Sequence, residues 1–300
     1  GNNVLDGGVG GADLINGLGG IDTVSYANSA SRVVIDLNRQ LTWDGTDNDT
    51  LVSIENAIGS RFNDDVLGDA GNNVLDGGVG GADLINGLGG IDTVSYANSA
   101  SRVVIDLNRQ LTWDGTDNDT LASIENAIGS RFNDDVLGDA GNNVLDGGVG
   151  GADFINGLGG IDTVSYASSL SGTVIDLNAQ LTWDGTDNDT LVSIENAIGS
   201  RFNDTLIGGS GDNVLTGGGG SDTFLFIPLA GRDLITDFQA GAGTGADVLA
   251  YRRGVFTNDD PLRNAVQSGS DVVFSTARNG SITLLGVNLN DLTANNFLIS

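Results

Sequence analysis

Cysteine, histidine, methionine and lysine are all absent from this 300-residue chain, and proline occurs only twice. Each absence removes chemistry. Without Cys or His there is no disulfide framework, thiol nucleophile, Ser-His-Asp triad or ordinary zinc site, and without Lys there is no phosphate-loop lysine or Schiff base. All positive charge comes from 12 Arg set against 40 acidic residues, a net charge of −28. That surplus argues against nucleic acid and anionic membrane as partners, since both require a basic footprint, and it favours a cation. No apolar run approaches the roughly 18 residues of a transmembrane helix, and no basic-then-apolar secretory start is present. The chain opens on Gly1-Asn2-Asn3-Val4 in the middle of a repeat and reads as a fragment of something longer.

What is there in excess is glycine, 48 residues of it, and a Gly- and Asp-rich chain invites the reading of a solvated, disordered linker. Hydrophobic residues at 39% and strict periodicity oppose that reading. Residues 1–70 and 71–140 are identical except that Val52 becomes Ala122. Residues 141–210 repeat the unit again with further changes, among them Leu84 to Phe154, Arg109 to Ala179 and Asp139 to Gly209. Each of these units carries a net charge of −8, whereas residues 211–300 carry −4. Exact repetition of this kind points to a solenoid rather than a single globule. The expected divisions are repeat unit 1 (1–70), repeat unit 2 (71–140), repeat unit 3 with the final nonapeptides (141–225), and a terminal segment (226–300).

Inside each unit runs a period of nine, as in GSRFNDDVL from Gly59, GDAGNNVLD from Gly68 and GLGGIDTVS from Gly87. Position 6 is occupied by Asp13, Asp22, Asp64, Asp83, Asp92, Asp134, Asp153, Asp162, Asp204 and Asp222, and otherwise by Asn3, Asn73, Asn143 and Asn213. Position 8 is always apolar, from Leu5, Ile15 and Val24 through to Leu206, Leu215 and Phe224. A linker has no reason to place an aliphatic residue every nine positions. A Gly-rich turn followed by a three-residue strand must bury one central side chain each time. The pattern therefore predicts an all-β fold, a parallel β-roll or β-solenoid in which two blocks make one turn and the position 8 residues form an interior ladder.

Position 6 carries the chemistry. Blocks two apart lie on one edge of such a roll, about 4.8 Å from each other, so their carboxylates stack as like charges. At that spacing the repulsion is about 1 kcal/mol or more per pair even in high dielectric, unless a cation lies between the turns. Carboxylates and exposed main-chain carbonyls, with no nitrogen or sulfur donor, specify Ca²⁺ ahead of zinc, copper or magnesium.

GGGGSDTFL at 217–225 fits the pattern GGxGxDxUx, and GLGGIDTVS at 87–95 and 157–165 fits it apart from position 2. The chain thus resembles the RTX family of calcium-binding β-roll exoproteins. The resemblance implies Ca²⁺ held between successive turns by the ten Asp named above, with Asp204 and Asp222 as the best-spaced pair. Departures are the insertions Gly7, Gly77 and Gly147, expected to bulge their turns, and Phe62, Phe132 and Phe202 in place of Gly at position 4. Asn at position 6 should weaken a site. The resemblance also implies a secreted or cell-surface location, export by type I secretion machinery, and a terminal segment 226–300 that serves as β-rich cap and secretion signal.

Between nonapeptide clusters lies a connector, Tyr26–Ile58, repeated at Tyr96–Ile128 and Tyr166–Ile198. Val33–Leu37 reads as a strand. Leu51–Ile58 fits a short helix or a strand, and strand is preferred because similar connectors continue the solenoid as wider rungs. Asp44, Asp47 and Asp49 form either a degenerate nonapeptide or a solvated turn. Trp43, Trp113 and Trp183 are expected to pack into the core or cover rung ends rather than to stack on a glycan. The array reads as non-enzymatic. Alternatives are the accessory module of a polysaccharide-modifying enzyme or protease, or an adhesin stalk. Arg32, Arg39, Arg102 and Arg109 are the groups that an extracellular acidic polysaccharide would meet.

Overall fold

A computed structural model describes residues 1–8, 10–228 and 231–300. It forms two compact units, Gly1–Phe154 with Leu158–Gly160, and Ile155–Gly157 with Ile161–Ser300. Among the described residues there is no α-helix. Nearly every strand of the repeats is three residues long, because glycine-rich turns interrupt the chain before a longer one can form.

In the first unit successive nonapeptides alternate between two sheets. One sheet is wholly parallel and runs Val4–Asp6, Thr23–Ser25, Asn56–Ile58, Val74–Asp76, Thr93–Ser95 and Asn126–Ile128, with Leu5 opposite Val24 and Val24 opposite Ala57. The other contains Leu14–Asn16, Asp65–Leu67, Leu84–Asn86 and Asp135–Leu137 together with strands from the connectors. Side chains alternate across a strand, so one residue per strand faces inward. Ile15, Val24, Val66, Leu75, Ile85, Val94, Val136 and Leu145 are all buried at position 8, and Leu5 at the first rung is half-buried. The nine-residue column is the interior ladder that the sequence predicts.

The connector adds more than a wide rung. Val34–Asp36 pairs antiparallel with Leu41–Trp43, which pairs antiparallel with Asn48–Val52, and the chain then crosses to Asn56–Ile58. Val33–Leu37 and Leu51–Ile58 are thus strand-forming, as expected, while the antiparallel insertion is not visible in the nonapeptide period. The tryptophans do not pack into the core. Trp43, Trp113 and Trp183 are 41%, 41% and 49% exposed. In Leu41–Trp43 the polar Thr42 faces inward, because its hydroxyl lies 2.6 Å from the buried Tyr26 hydroxyl. Strand alternation then turns Leu41 and Trp43 outward.

The second unit repeats the arrangement with Thr163–Ser165, Asn196–Ile198 and Val214–Thr216 in one sheet, and Val174–Asp176, Thr205–Ile207 and Thr223–Phe226 in the other. The terminal segment extends both sheets. Arg232–Ile235 and Ser281–Leu284 continue the first in parallel, followed by antiparallel Asp271–Ser275 and Ala265–Ser268. Val248–Tyr251 and Phe297–Ile299 continue the second. Its core turns aromatic, with Tyr251 edge-on to Phe256 at 4.9 Å and Phe274 edge-on to Phe297 at 5.9 Å between ring centroids.

Candidate metal centres

Each residue two places before a buried position 8 side chain lies at a rung corner, and these corners are tied together by side chain to main chain bonds. Along one edge of the first unit, the Asn3 amide donates to Asp22 Oδ1 at 2.7 Å, the Asp22 amide to Glu55 Oε2 at 2.8 Å, the Asn73 amide to Asp92 Oδ1 at 2.8 Å and the Asp92 amide to Glu125 Oε2 at 2.8 Å. Along the other edge, the Asp13 amide donates to Asp49 Oδ1 at 2.9 Å, that of Val33 to Asp64 Oδ1 at 2.7 Å, that of Asp64 to Asp83 Oδ1 at 2.7 Å and that of Asp83 to Asp119 Oδ1 at 2.9 Å. The Val103, Asp134 and Asp153 corners repeat the pattern. In the second unit the amides of Thr173, Asp204 and Asp222 donate to Asp204, Asp222 and Asp247 in turn, and that of Asp162 to Glu195. Asp204 and Asp222 share one edge, as their spacing predicts.

One carboxylate oxygen therefore serves the ladder. The second is turned into the acid's own glycine turn. A side-chain carbon on the position 1 glycines Gly17, Gly87 or Gly217 would overlap Oδ2 of Asp22, Asp92 or Asp222 respectively, and at Gly17 and Gly87 also the carbonyl oxygen of Ser53 or Ser123. Position 1 is glycine because the carboxylate and a neighbouring carbonyl fill that space. Gly87→Ala is accordingly expected to cost about 1–3 kcal/mol, the usual penalty of overpacking, read as a lower denaturation midpoint in calcium-containing buffer.

Burial among other acids sets the electrostatics at Asp83, Asp92 and Asp222. Asp22, Asp64, Asp83, Asp92, Asp134, Asp153, Asp162, Asp204 and Asp222 are buried, while Asp13, on the outermost rung, is exposed. Burial, with the nearby charges of Asp119, Asp64 and Asp76, pushes the Asp83 carboxyl up to about 8. Burial and the charges of Asp247, Asp204 and Asp237 push Asp222 to about 7, and burial with Glu125 and Asp69 pushes Asp92 to about 6. Desolvation disfavours the charged carboxylate and like charges add to the penalty.

The ten predicted acids are not equivalent. Asp64, Asp134 and Asp204 are served by their own turns, where the amides of Ser60, Ser130 and Ser200 donate to Oδ2 and the serine hydroxyls add further bonds. By contrast Oδ2 of Asp22 and of Asp92 is buried with no hydrogen-bond partner. The asparagine rungs are self-sufficient. The Asn73 side-chain amide donates to the Glu55 carbonyl at 2.7 Å and to Asp69 Oδ1 at 3.2 Å, so its nitrogen stands where an acid rung offers only oxygen.

The inserted glycines leave the ladder intact. The Asp64 to Asp83 bond spans the turn containing Gly77, where Asp76 Oδ1 accepts from the Gly78 amide at 2.8 Å. Phe62, Phe132 and Phe202 turn outward beneath the guanidinium groups of Arg61, Arg131 and Arg201, about 5 Å from the ring centroids. Arg32, Arg39, Arg102 and Arg109 are each already paired, with Asp65, Asp36, Asp135 and Asp106, at 2.5–3.0 Å.

Several corner acids lack the leading glycine and so fall outside the nonapeptide period: Asp49, Asp119 and Asp189, Glu55, Glu125 and Glu195, and Asp233 and Asp247. Their signal is an acid two residues before an inward apolar residue, Leu51, Ala57, Ile235 and Leu249 being examples. The acidic connector loop divides in function. The Asp44 carboxylate folds back onto the amides of Thr46 and Asp47, a solvated turn, whereas Asp49 is buried and accepts from the Tyr26 hydroxyl. Burial beside Asp49 raises the Tyr26 hydroxyl well above its ordinary range.

Among the described residues no three acidic side chains converge as a carboxylate cage. A cation at these corners would meet one or two carboxylates and main-chain carbonyls, an oxygen-only donor set that fits Ca²⁺. The residues present therefore suit that ion.

The family model of the RTX calcium-binding nonapeptide repeat matches residues 58–94, 128–164 and 194–225. No curated protein matches the sequence. Among solved structures the chain is similar to the extracellular lipase LipA from Serratia marcescens, with 20% identity and a TM-score of 0.31 over 82% of this chain. It spans 40% of that lipase's length.

Proposed function

We propose that this chain, whose repeats place it among the RTX calcium-binding proteins, is a non-catalytic β-roll whose fold is completed by calcium ions at its rung corners. The observation that carries this reading is that Oδ2 of Asp22 and of Asp92 is buried with no hydrogen-bond partner, while burial and neighbouring acids hold Asp83 and Asp222 well above the ordinary aspartate value. Buried charges in proteins are paired or coordinate metals, and the charges acting on Asp83, Asp92 and Asp222 are those of other acids. In this reading Asp22, Asp83, Asp92, Asp153 and Asp222 each give one oxygen to the ladder and one to an ion, with turn carbonyls as neutral ligands, and Asp13 and Asp162 are ligands of the same column. Asp64, Asp134 and Asp204 add negative charge beside them.

Coupling follows from mass action, since an ion that binds only the folded chain stabilises it in proportion to its concentration over the dissociation constant. Extracellular calcium modules bind at about 10⁻⁴–10⁻³ M. The chain accordingly stays unfolded in calcium-poor cytosol, leaves through type I secretion machinery, and folds outside, where residues 226–300 close the end of the roll. Equilibrium dialysis against calcium tests the binding. Several ions per chain are expected at about 1 mM free Ca²⁺. A chain that retains none at that concentration would overturn the assignment.

A further inference from the structure

The geometry points to a second kind of calcium site in the repeat, built by the connector rather than by a nonapeptide pair: Asp92, Glu125 and the main-chain carbonyl of Ser123, with a first copy at Asp22, Glu55 and Ser53. It rests on the calcium-binding reading above but adds ligands that the nonapeptide pattern does not contain. Asp92 is 0% exposed, its Oδ1 is occupied by the Asn73 amide, and its Oδ2 has no hydrogen-bond partner. That oxygen is aimed at the space beside Gly87 into which the Ser123 carbonyl also projects. Two acceptors thus face one small volume. Asp22 Oδ2, equally buried and unpartnered, shares the space beside Gly17 with the Ser53 carbonyl in the same way.

The backbone is arranged to present those carbonyls. Ser53 and Ser123 have φ of 53° and 50°, the left-handed region that non-glycine residues rarely occupy. Such outliers persist only where surrounding structure over-determines them, and they cluster at ligand sites. The glutamate is held in register by three bonds. Asp92 donates its amide to Glu125 Oε2 at 2.8 Å, and its carbonyl accepts from the amides of Glu125 and Asn126 at 3.1 and 2.9 Å. Asp22 and Glu55 repeat the first at 2.8 Å and the others at 3.0 and 2.9 Å. Two acids and a neutral carbonyl are therefore stacked where the adjacent rung has the Asn73 amide group as its internal donor. The acid rung has only acceptors, which a hard divalent cation with flexible oxygen coordination satisfies.

The test uses the full chain carrying Glu55→Gln and Glu125→Gln. Glutamine keeps an oxygen to accept the Asp22 and Asp92 amides while removing the charge. Calcium stoichiometry is measured by equilibrium dialysis, with circular dichroism confirming the fold at saturating calcium. The double variant is expected to bind two ions fewer than the wild type, or to bind two of them about tenfold more weakly. Should the double variant not fold, Glu125→Gln alone is expected to lose one. Unchanged number and affinity in a folded variant would overturn this site while leaving the nonapeptide sites standing, whereas a wild-type chain that binds no calcium would overturn both.

Discussion

Stripped of calcium, the chain should be least folded at alkaline pH and should regain β-sheet as the solution is acidified towards about pH 5. Most carboxylate-rich proteins behave in the opposite way, since acid usually removes stabilising ion pairs. The difference lies in where these acids sit. Burial and neighbouring acids hold Asp83 at about 8 and Asp222 at about 7, and burial with the charge of Asp212 holds Asp233 at about 7. Against an ordinary aspartate value of 3.8, each is raised in the fold. Between those limits the folded chain binds more protons than the unfolded one, so stability falls as pH rises. The stability these groups confer is fully present below about pH 4 and lost progressively up to about pH 8. Several such groups together oppose folding of the chelated chain at alkaline pH.

An opposing effect sets the acid limit, because turn amides of Asp47 and Thr46 hold the Asp44 carboxyl below its usual range and that contribution is lost in strong acid. Circular dichroism in a chelator from pH 9 to pH 4 should therefore show signal gained on acidification. A chelated chain whose β signal is flat from pH 9 to 5, or falls steadily, would contradict the electrostatic account.

Asp83→Asn should act in opposite directions with and without calcium. The amide oxygen can still accept from the Asp64 amide, now at 2.7 Å from Asp83 Oδ1, and Asn73 shows that the column tolerates asparagine. Without calcium the variant escapes the cost of charging a buried group beside Asp119, Asp64 and Asp76, and its stability in chelator at pH 8 should rise by about 1–3 kcal/mol after solvent screening of the group is counted. With calcium it offers a neutral ligand in place of a charged one, and one ion should bind about tenfold more weakly, about 1.4 kcal/mol. Far-ultraviolet circular dichroism in chelator at pH 8, where the variant should show more β signal than the wild type, and ion binding in the folded state report the two effects separately. A variant with no more β signal than the wild type in chelator, or one that keeps full calcium affinity, would show that Asp83 is a structural turn residue.

The nine-residue column carries the interior and the corner acids because each block is short and each strand buries one residue, leaving periodicity almost no freedom. It did not carry the connector's antiparallel strands. Their inward positions hold Thr42 and Asp49, which a search for alternating apolar residues passes over, yet Tyr26 makes them a buried polar network. The outward tryptophans follow from the same inward Thr42 by strand alternation. The corner glutamates were hidden because no glycine precedes them, although Glu55 and Glu125 stand two residues before buried Ala57 and Ala127. Nor could composition separate Asp64, saturated by Ser60, from Asp92, whose second oxygen is unpartnered. Identical residues at identical repeat positions differ through the turn sequence around them.

Calcium titration of the chelated full chain at pH 7.5, followed by far-ultraviolet circular dichroism, addresses the central claim most directly. The account predicts a chain with little β signal in chelator that gains it cooperatively as free calcium rises through about 0.1–1 mM. Full β signal in chelator at that pH, unchanged by millimolar calcium, would contradict it.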